Sequence, residues 1–158
     1  MATLKQGDSA PDFALKDQHG NEVRLSDFRG RTLLVYFYPK ADTPGCTKQA
    51  CSIRDHRQDL AGLGVAVVGI SPDPPGAQRK FDEKYGLGFP LLSDVDHRVA
   101  EAYGVWGEKQ SAGRVTQGII RSSFLVDGEG KVTHVWYGVK PEDTVPKAQQ
   151  ALAATSGR

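Results

Sequence analysis

Cys46 and Cys51 are the two cysteines of the 158-residue chain, five residues apart and directly after Thr43-Pro44-Gly45. Thr43 followed by Pro44 has the composition of a helix start: threonine as N-cap, and proline at the first helical position, where its missing N–H goes unneeded. That places Cys46 in the first helical turn. There, unpaired backbone N–H groups and the positive end of the helix dipole favour a thiolate over a thiol. A free cysteine in a folded domain is more often a small buried hydrophobe, so the helix start is what tips Cys46 toward reactivity. Cys51 would lie about 7.5 Å further along the same helix, on another face, with the two Cα atoms roughly 8 to 9 Å apart. A disulfide spans about 4.4 to 6.8 Å between Cα atoms. The pair therefore cannot bond on an intact helix, and joining them requires the first turns to unwind.

Other thiol chemistries fit the spacing poorly. It is not the C-x-x-C of a dithiol oxidoreductase, and His19, His56, His97 and His134 make no zinc-ligand spacing with the cysteines. His56, ten residues after Cys46, would stand about 15 Å away along a helix axis, too far to serve as its base. It reads as a helix-surface residue, and the other histidines read likewise.

The elements that must position Cys46 follow from the pattern of apolar runs. Leu33-Leu34-Val35-Tyr36-Phe37-Tyr38 is a buried strand, from about Thr32, that Pro39 ends, since proline cannot donate to a sheet ladder. A helix from Thr43 to about Leu60 stops before Gly62 and Gly64. Val65 to Ile70 is a continuous apolar run that predicts a central strand, followed by a helix from Ala77 to Tyr85. Phe89 to Leu92 adds a short strand and Asp96 to Tyr103 a short helix. Gly104 to Gly118, with four glycines, reads as a long irregular loop of the kind that carries function. Ile119 to Val126 and Lys131 to Tyr137 form a hairpin before a last helix from Glu142 to Ala154, with Pro146 in its first turn. Upstream, Phe13 to Lys16 and Glu22 to Leu25 predict an N-terminal β-hairpin, and Ser26 to Gly30 a helical turn. A βαβ half followed by a ββα half is the thioredoxin-like arrangement, a central mixed sheet flanked by helices on both faces, here as one domain over residues 1–158.

Composition narrows the function classes. Lys and Arg total 20 against 19 Asp and Glu, and the net charge of +1 gives no electrostatic case for nucleic acid or an anionic membrane as partner. The N-terminus lacks a signal-peptide core, and no stretch approaches the roughly 18 apolar residues of a membrane span. The expectation is a cytoplasmic protein in a reducing compartment, where two cysteines pair transiently if at all.

Pro39-x-x-x-Thr43-x-x-Cys46 resembles the active-site signature of the peroxiredoxins. The similarity is closest to the Q-type branch, the bacterioferritin-comigratory-protein-like atypical two-cysteine enzymes. It runs through Tyr38-Pro39-Lys40, Thr43 to Thr47 and Ala50-Cys51, and extends to Gly7-Asp8-x-Ala10-Pro11-Asp12-Phe13, Gly69 to Asp73, Phe89 to Asp94, Tyr103 to Lys109 and Gly118 to Phe124. The resemblance implies a thiol peroxidase for hydrogen peroxide and organic hydroperoxides, with thioredoxin or a similar dithiol as reductant and no metal or cofactor. By the same resemblance Cys46 would be the peroxidatic cysteine, becoming a sulfenic acid. Thr43 would set its hydroxyl beside the sulfur, and Pro39 would shield it. Arg121 would favour the thiolate and donate to the peroxide oxygens. The backbone N–H groups of Gly45 and Cys46 would share that work. Cys51 would be the resolving cysteine, closing an intramolecular disulfide.

Other assignments stay open at this level. Arg121, alone, is a charged residue in an apolar strand, as compatible with a structural ion pair. Tyr38 and Trp106 are candidates for the substrate pocket, and the sequence context of Trp106 fits packing on the core equally well. Lys48 reads as a solvated helix lysine. Gln49 stands where the family often has an acidic residue, and Ser122-Ser123 replaces a commoner Ser-Thr pair. A peroxide-sensing switch acting through a partner would use the same two cysteines, and a thioredoxin-like module with inert thiols would use neither. No apolar run demands an oligomer, so a monomer is expected.

Overall fold

The structure, a computed structural model, describes residues 3–111 and 113–156. Its centre is a seven-stranded mixed sheet in the order β2-β1-β5-β4-β3-β8-β9. The strands are β1 (Ala14–Lys16), β2 (Glu22–Arg24), β3 (Thr32–Phe37), β4 (Val65–Ser71), β5 (Leu91–Ser93), β8 (Ser122–Val126) and β9 (Val132–Tyr137). β3, β4 and β5 run parallel, and every other pairing in the sheet is antiparallel. A separate two-stranded hairpin joins β6 (Trp106–Ser111) to β7 (Arg114–Ile119).

β3 is buried along nearly its whole length because it lies between β4 and β8 and is covered on both faces. Its alternation divides the core in two. Leu34, Tyr36 and Tyr38 point into one cluster with residues of α1 (Pro44–Asp55), α2 (Arg57–Gly62), α3 (Pro75–Tyr85) and α5 (Thr144–Ser156). Leu33, Val35 and Phe37 point into the other, with Val99 and Ala100 of α4 (Arg98–Ala102), Tyr103 and Phe124. Helices thus cover both faces, as the order of elements predicts. A close approach inside the first cluster depends on Gly69, paired with Tyr36 across β3 and β4: a Cβ there would lie 2.8 Å from the Tyr36 ring and hydroxyl. A side chain at this position would displace the ring that backs the Cys46 cluster.

Three expectations change. The helix predicted from Thr43 to Leu60 is two helices, α1 and α2, broken at His56, whose Nδ1 lies 2.8 Å from the Ser52 carbonyl. The break is silent in the apolar pattern because Ile53 and Leu60 on its two sides enter the same core cluster. The loop predicted over Gly104 to Gly118 is mostly the β6–β7 hairpin, with Gly107 opposite Gly118 and Glu108 opposite Gln117. Pairs like these leave no apolar alternation to read. The strand expected from Ile119 is also divided, since Ile119 ends β7 and β8 begins at Ser122. Arg121 therefore lies in the link between them rather than inside a strand. The last helix begins at Thr144 with Pro146 in its first turn, as anticipated.

Candidate active site

The end of β3 delivers the chain to the site. Tyr38 N–H donates to the Ile70 carbonyl (3.0 Å), extending the β3–β4 pairing by one residue before Pro39. The loop that follows is fastened from outside. The Ala41 N–H donates to Asp73 Oδ2 (2.6 Å), and Asp42 accepts from Lys84 Nζ (3.0 Å) and the Tyr85 hydroxyl (2.8 Å). The Lys84 hydrogen bond, then that of Tyr85, hold the Asp42 carboxyl below its ordinary range. Asp42 has φ +59°, in the left-handed region that aspartate tolerates better than most residues.

Thr43 has the extended backbone of an N-cap, but its hydroxyl does not cap the helix. It donates instead to the Lys40 carbonyl (2.8 Å), closing the turn before α1. The first helical bond runs from the Thr47 N–H to the Thr43 carbonyl (2.8 Å). Pro44 has no N–H, so the donors of this turn are those of Gly45 and Cys46. A threonine used for the turn leaves these donors to whatever occupies the site.

Cys46 is buried at 1% exposure, and Arg121 Nη2 lies 3.3 Å from its Sγ. The cysteine and arginine are 75 residues apart in sequence and meet because β8 pairs with β3, setting the β7–β8 link over the start of α1. Gly45 permits the approach: a Cβ there would be 3.1 Å from Arg121 Nη2 and 3.5 Å from Pro141 Cγ. The second arm of the guanidinium, Nη1, donates to Gln49 Oε1 (2.6 Å), and Gln49 Nε2 donates to Thr144 Oγ1 (2.7 Å). Among the described residues no carboxylate forms a salt bridge with Arg121. Its cation faces a sulfur and a neutral amide.

Of the residues singled out in the sequence, Cys46, Gly45 and Arg121 come together here, with Thr43 and Pro39 in the turn leading in. Cys51 is half-buried against the same core cluster, and both thiols are free. Tyr38 shares the cluster with Cys46, but its hydroxyl is committed to Gln78 Oε1 (2.5 Å), and burial pushes its phenol well up. Trp106 is directed elsewhere. Its indole stacks on His97 (centroids 3.8 Å apart, 4° between planes), its N–H donates to Gln117, and it packs on the cluster across the sheet from Cys46. Lys48 is exposed.

Two residues matter more than the sequence suggested. Gln49 was visible as a departure from the family pattern, although its hold on Arg121 was not. Thr144 carried no signal, being 95 residues from Gln49. Tyr36 also senses the site: its phenol is pushed well up, first by burial, then by Tyr38 and Cys46, while Arg121 pulls it down.

The family model described as "AhpC/TSA family" matches residues 6–135. Peroxiredoxin Bcp of Escherichia coli K12 is 55% identical over 136 residues, covering 86% of this chain and 87% of its own. Among solved structures, Xylella fastidiosa PrxQ, a cysteine-to-serine mutant, superposes with a TM-score of 0.91 at 27% identity, covering 99% of each chain. The bacterioferritin comigratory protein of Xanthomonas campestris, described with an alkyl peroxide reduction activity, gives 0.85 at 33% identity, covering 90% of this chain and 91% of its own.

Proposed function

The chain belongs to the AhpC/TSA family and is a peroxiredoxin enzyme of the Bcp type, and from that premise we propose a cycle in which Cys46 reduces a hydroperoxide and Cys51 closes the product as an intramolecular disulfide. The observation that carries the reading is Arg121 Nη2 at 3.3 Å from the Cys46 sulfur, over a helix start whose N–H donors are left open. The thiolate of Cys46 attacks the terminal peroxide oxygen, the O–O bond breaks, and the leaving oxygen takes a proton to depart as water or alcohol. Cys46 is left as a sulfenic acid. Arg121 and the Gly45 and Cys46 N–H groups hold the oxygen on which charge develops. Thr43 and Pro39 shape the entry turn.

Cys51 then attacks the sulfenic sulfur and expels the oxygen as water. On the intact helix the two Cα atoms stand beyond disulfide reach by roughly 2 Å, so the first turns of α1 unwind for this step. A thioredoxin-type dithiol in the cytoplasm reduces the disulfide by exchange and returns both thiols. Both cysteines come from one chain, so a monomer suffices. Hydrogen peroxide and organic hydroperoxides are the substrate class, in keeping with the activity described for the Xanthomonas relative.

The test is to treat reduced protein with one equivalent of hydrogen peroxide and map the product by mass spectrometry. A Cys46–Cys51 disulfide is expected. Cys51→Ser should trap a Cys46 sulfenic acid and stall after about one equivalent in a coupled assay with thioredoxin, its reductase and NADPH. Fast peroxide reduction surviving in Cys46→Ser would overturn the assignment.

A further inference from the structure

Arg121, Gln49 and Thr144 form a hydrogen-bonded chain of fixed polarity. A guanidinium only donates, so the Gln49 oxygen must face Arg121 and its NH2 must face Thr144. The Thr144 oxygen accepts that bond, leaving its own proton for the Lys140 carbonyl, 3.4 Å away. Gln49 is fully buried and Thr144 is 1% exposed, so water does not substitute for either partner. Thr144 is the first residue of α5, which packs Val145 and Ala148 into the same cluster as Cys46. The C-terminal helix thereby reaches the arginine that touches the reactive sulfur through a single intervening side chain.

We propose that Thr144 is a positioning residue: by holding the Gln49 amide it fixes Arg121 against Cys46, and so ties the docking of α5 to peroxide reduction. This rests on Cys46 as the peroxide-reducing thiol. Gln49 lies between Cys46 and Cys51 on α1, so the unwinding that joins the cysteines also withdraws the amide from Arg121 and Thr144. The chain exists in the reduced form and is broken in the disulfide form. Thr144 therefore acts on the oxidative half-reaction alone.

That division supplies the test, in which each half-reaction of the full-length protein is timed separately by stopped-flow fluorescence. Thr144→Val removes the acceptor at nearly constant volume. It should slow oxidation by hydrogen peroxide about tenfold, the scale of one lost hydrogen bond to a charged network, and leave reduction of the disulfide by dithiothreitol within about twofold of wild type. Thr144→Ser, which keeps the hydroxyl, should restore the oxidation rate. Hydrogen exchange at residues 144–151 should quicken when wild type is oxidised, and in reduced Thr144→Val it should already be quick. If the valine variant does not fold, Thr144→Ala is timed in its place. A variant lacking the hydroxyl that oxidises at the wild-type rate, or is slowed equally in both half-reactions, overturns the proposal. A wild-type protein inert to peroxide would instead overturn the reading of Cys46.

Discussion

The two ends of α1 are held by different kinds of contact. At the start the bonds are polar and few: the Asp42 clasp to α3, Thr43 closing the turn, and Arg121 reaching both Cys46 and Gln49. The far end is anchored by packing and by Arg54, and α2 beyond it by Arg57. Ile53 is 1% exposed in the core, Arg54 Nη1 donates to the Tyr85 carbonyl (2.6 Å), and Arg57 Nη1 donates to the Leu87 carbonyl (3.1 Å). The break at His56 separates α2 from what happens upstream. A helix that must let go at one end and hold at the other is served by this division. Directed polar bonds are lost one at a time as the chain moves, whereas apolar packing resists until the whole side chain leaves.

The largest expected effect comes from removing the charge at the first end. Arg121→Leu, made together with Gln49→Leu so that no buried amide oxygen is stranded, should lower the rate of peroxide reduction by about 10²- to 10³-fold, the usual loss for a donor aimed at developing charge, with little change in a urea melt. Ile53→Ala tests the opposite end and should show the reverse pattern. Truncating a buried isoleucine destabilises by about 2–5 kcal/mol, which a urea titration would register, while reduced Cys46 keeps its contacts. A variant at either end that moved rate and stability together would erase the distinction. Arg54→Leu is a milder probe of the far end. Losing its bond to the Tyr85 carbonyl should weaken the structure by about 1 kcal/mol, with faster hydrogen exchange confined to residues 53–60.

How far the sequence revealed this division depends on the range of each contact. The strand ending at Pro39, the helix starting at Pro44 and the central β4 run were legible because each is a local pattern of apolar, capping and breaking residues. Cys46 was legible for the same reason. Arg121 required the family signature, because nothing within its own neighbourhood points to a residue 75 positions away. The Gln49 and Thr144 contact has no periodicity at all and is fixed only once α5 packs beside α1. The break at His56 and the β6–β7 hairpin were hidden differently, the first by core positions continuing across it and the second by strands of polar pairs.

The smallest effect expected is at the Asp42 clasp, where the contacts are exposed and the two long side chains gain little in water. Its sign is nonetheless defined. The Lys84 and Tyr85 hydrogen bonds lower the carboxyl's pKa in the folded protein, so the clasp's contribution is fully present above the unfolded value, near 4, and fades as pH falls through the lowered folded one. Asp42→Asn keeps a residue that tolerates φ +59° and removes the charge. At neutral pH, amide exchange at residues 43–47 in reduced Asp42→Asn should run about twofold faster than in wild type, and the two should converge as the pH is taken below 4. Because this clasp lies ahead of Cys46, the variant should also form the Cys46–Cys51 disulfide slightly faster after oxidation, leaving the first attack on peroxide unchanged. Equal exchange rates at neutral pH would mean that the Asp42 clasp does not hold the start of α1, which would then rest on the Thr43 turn and on Arg121 with Gln49.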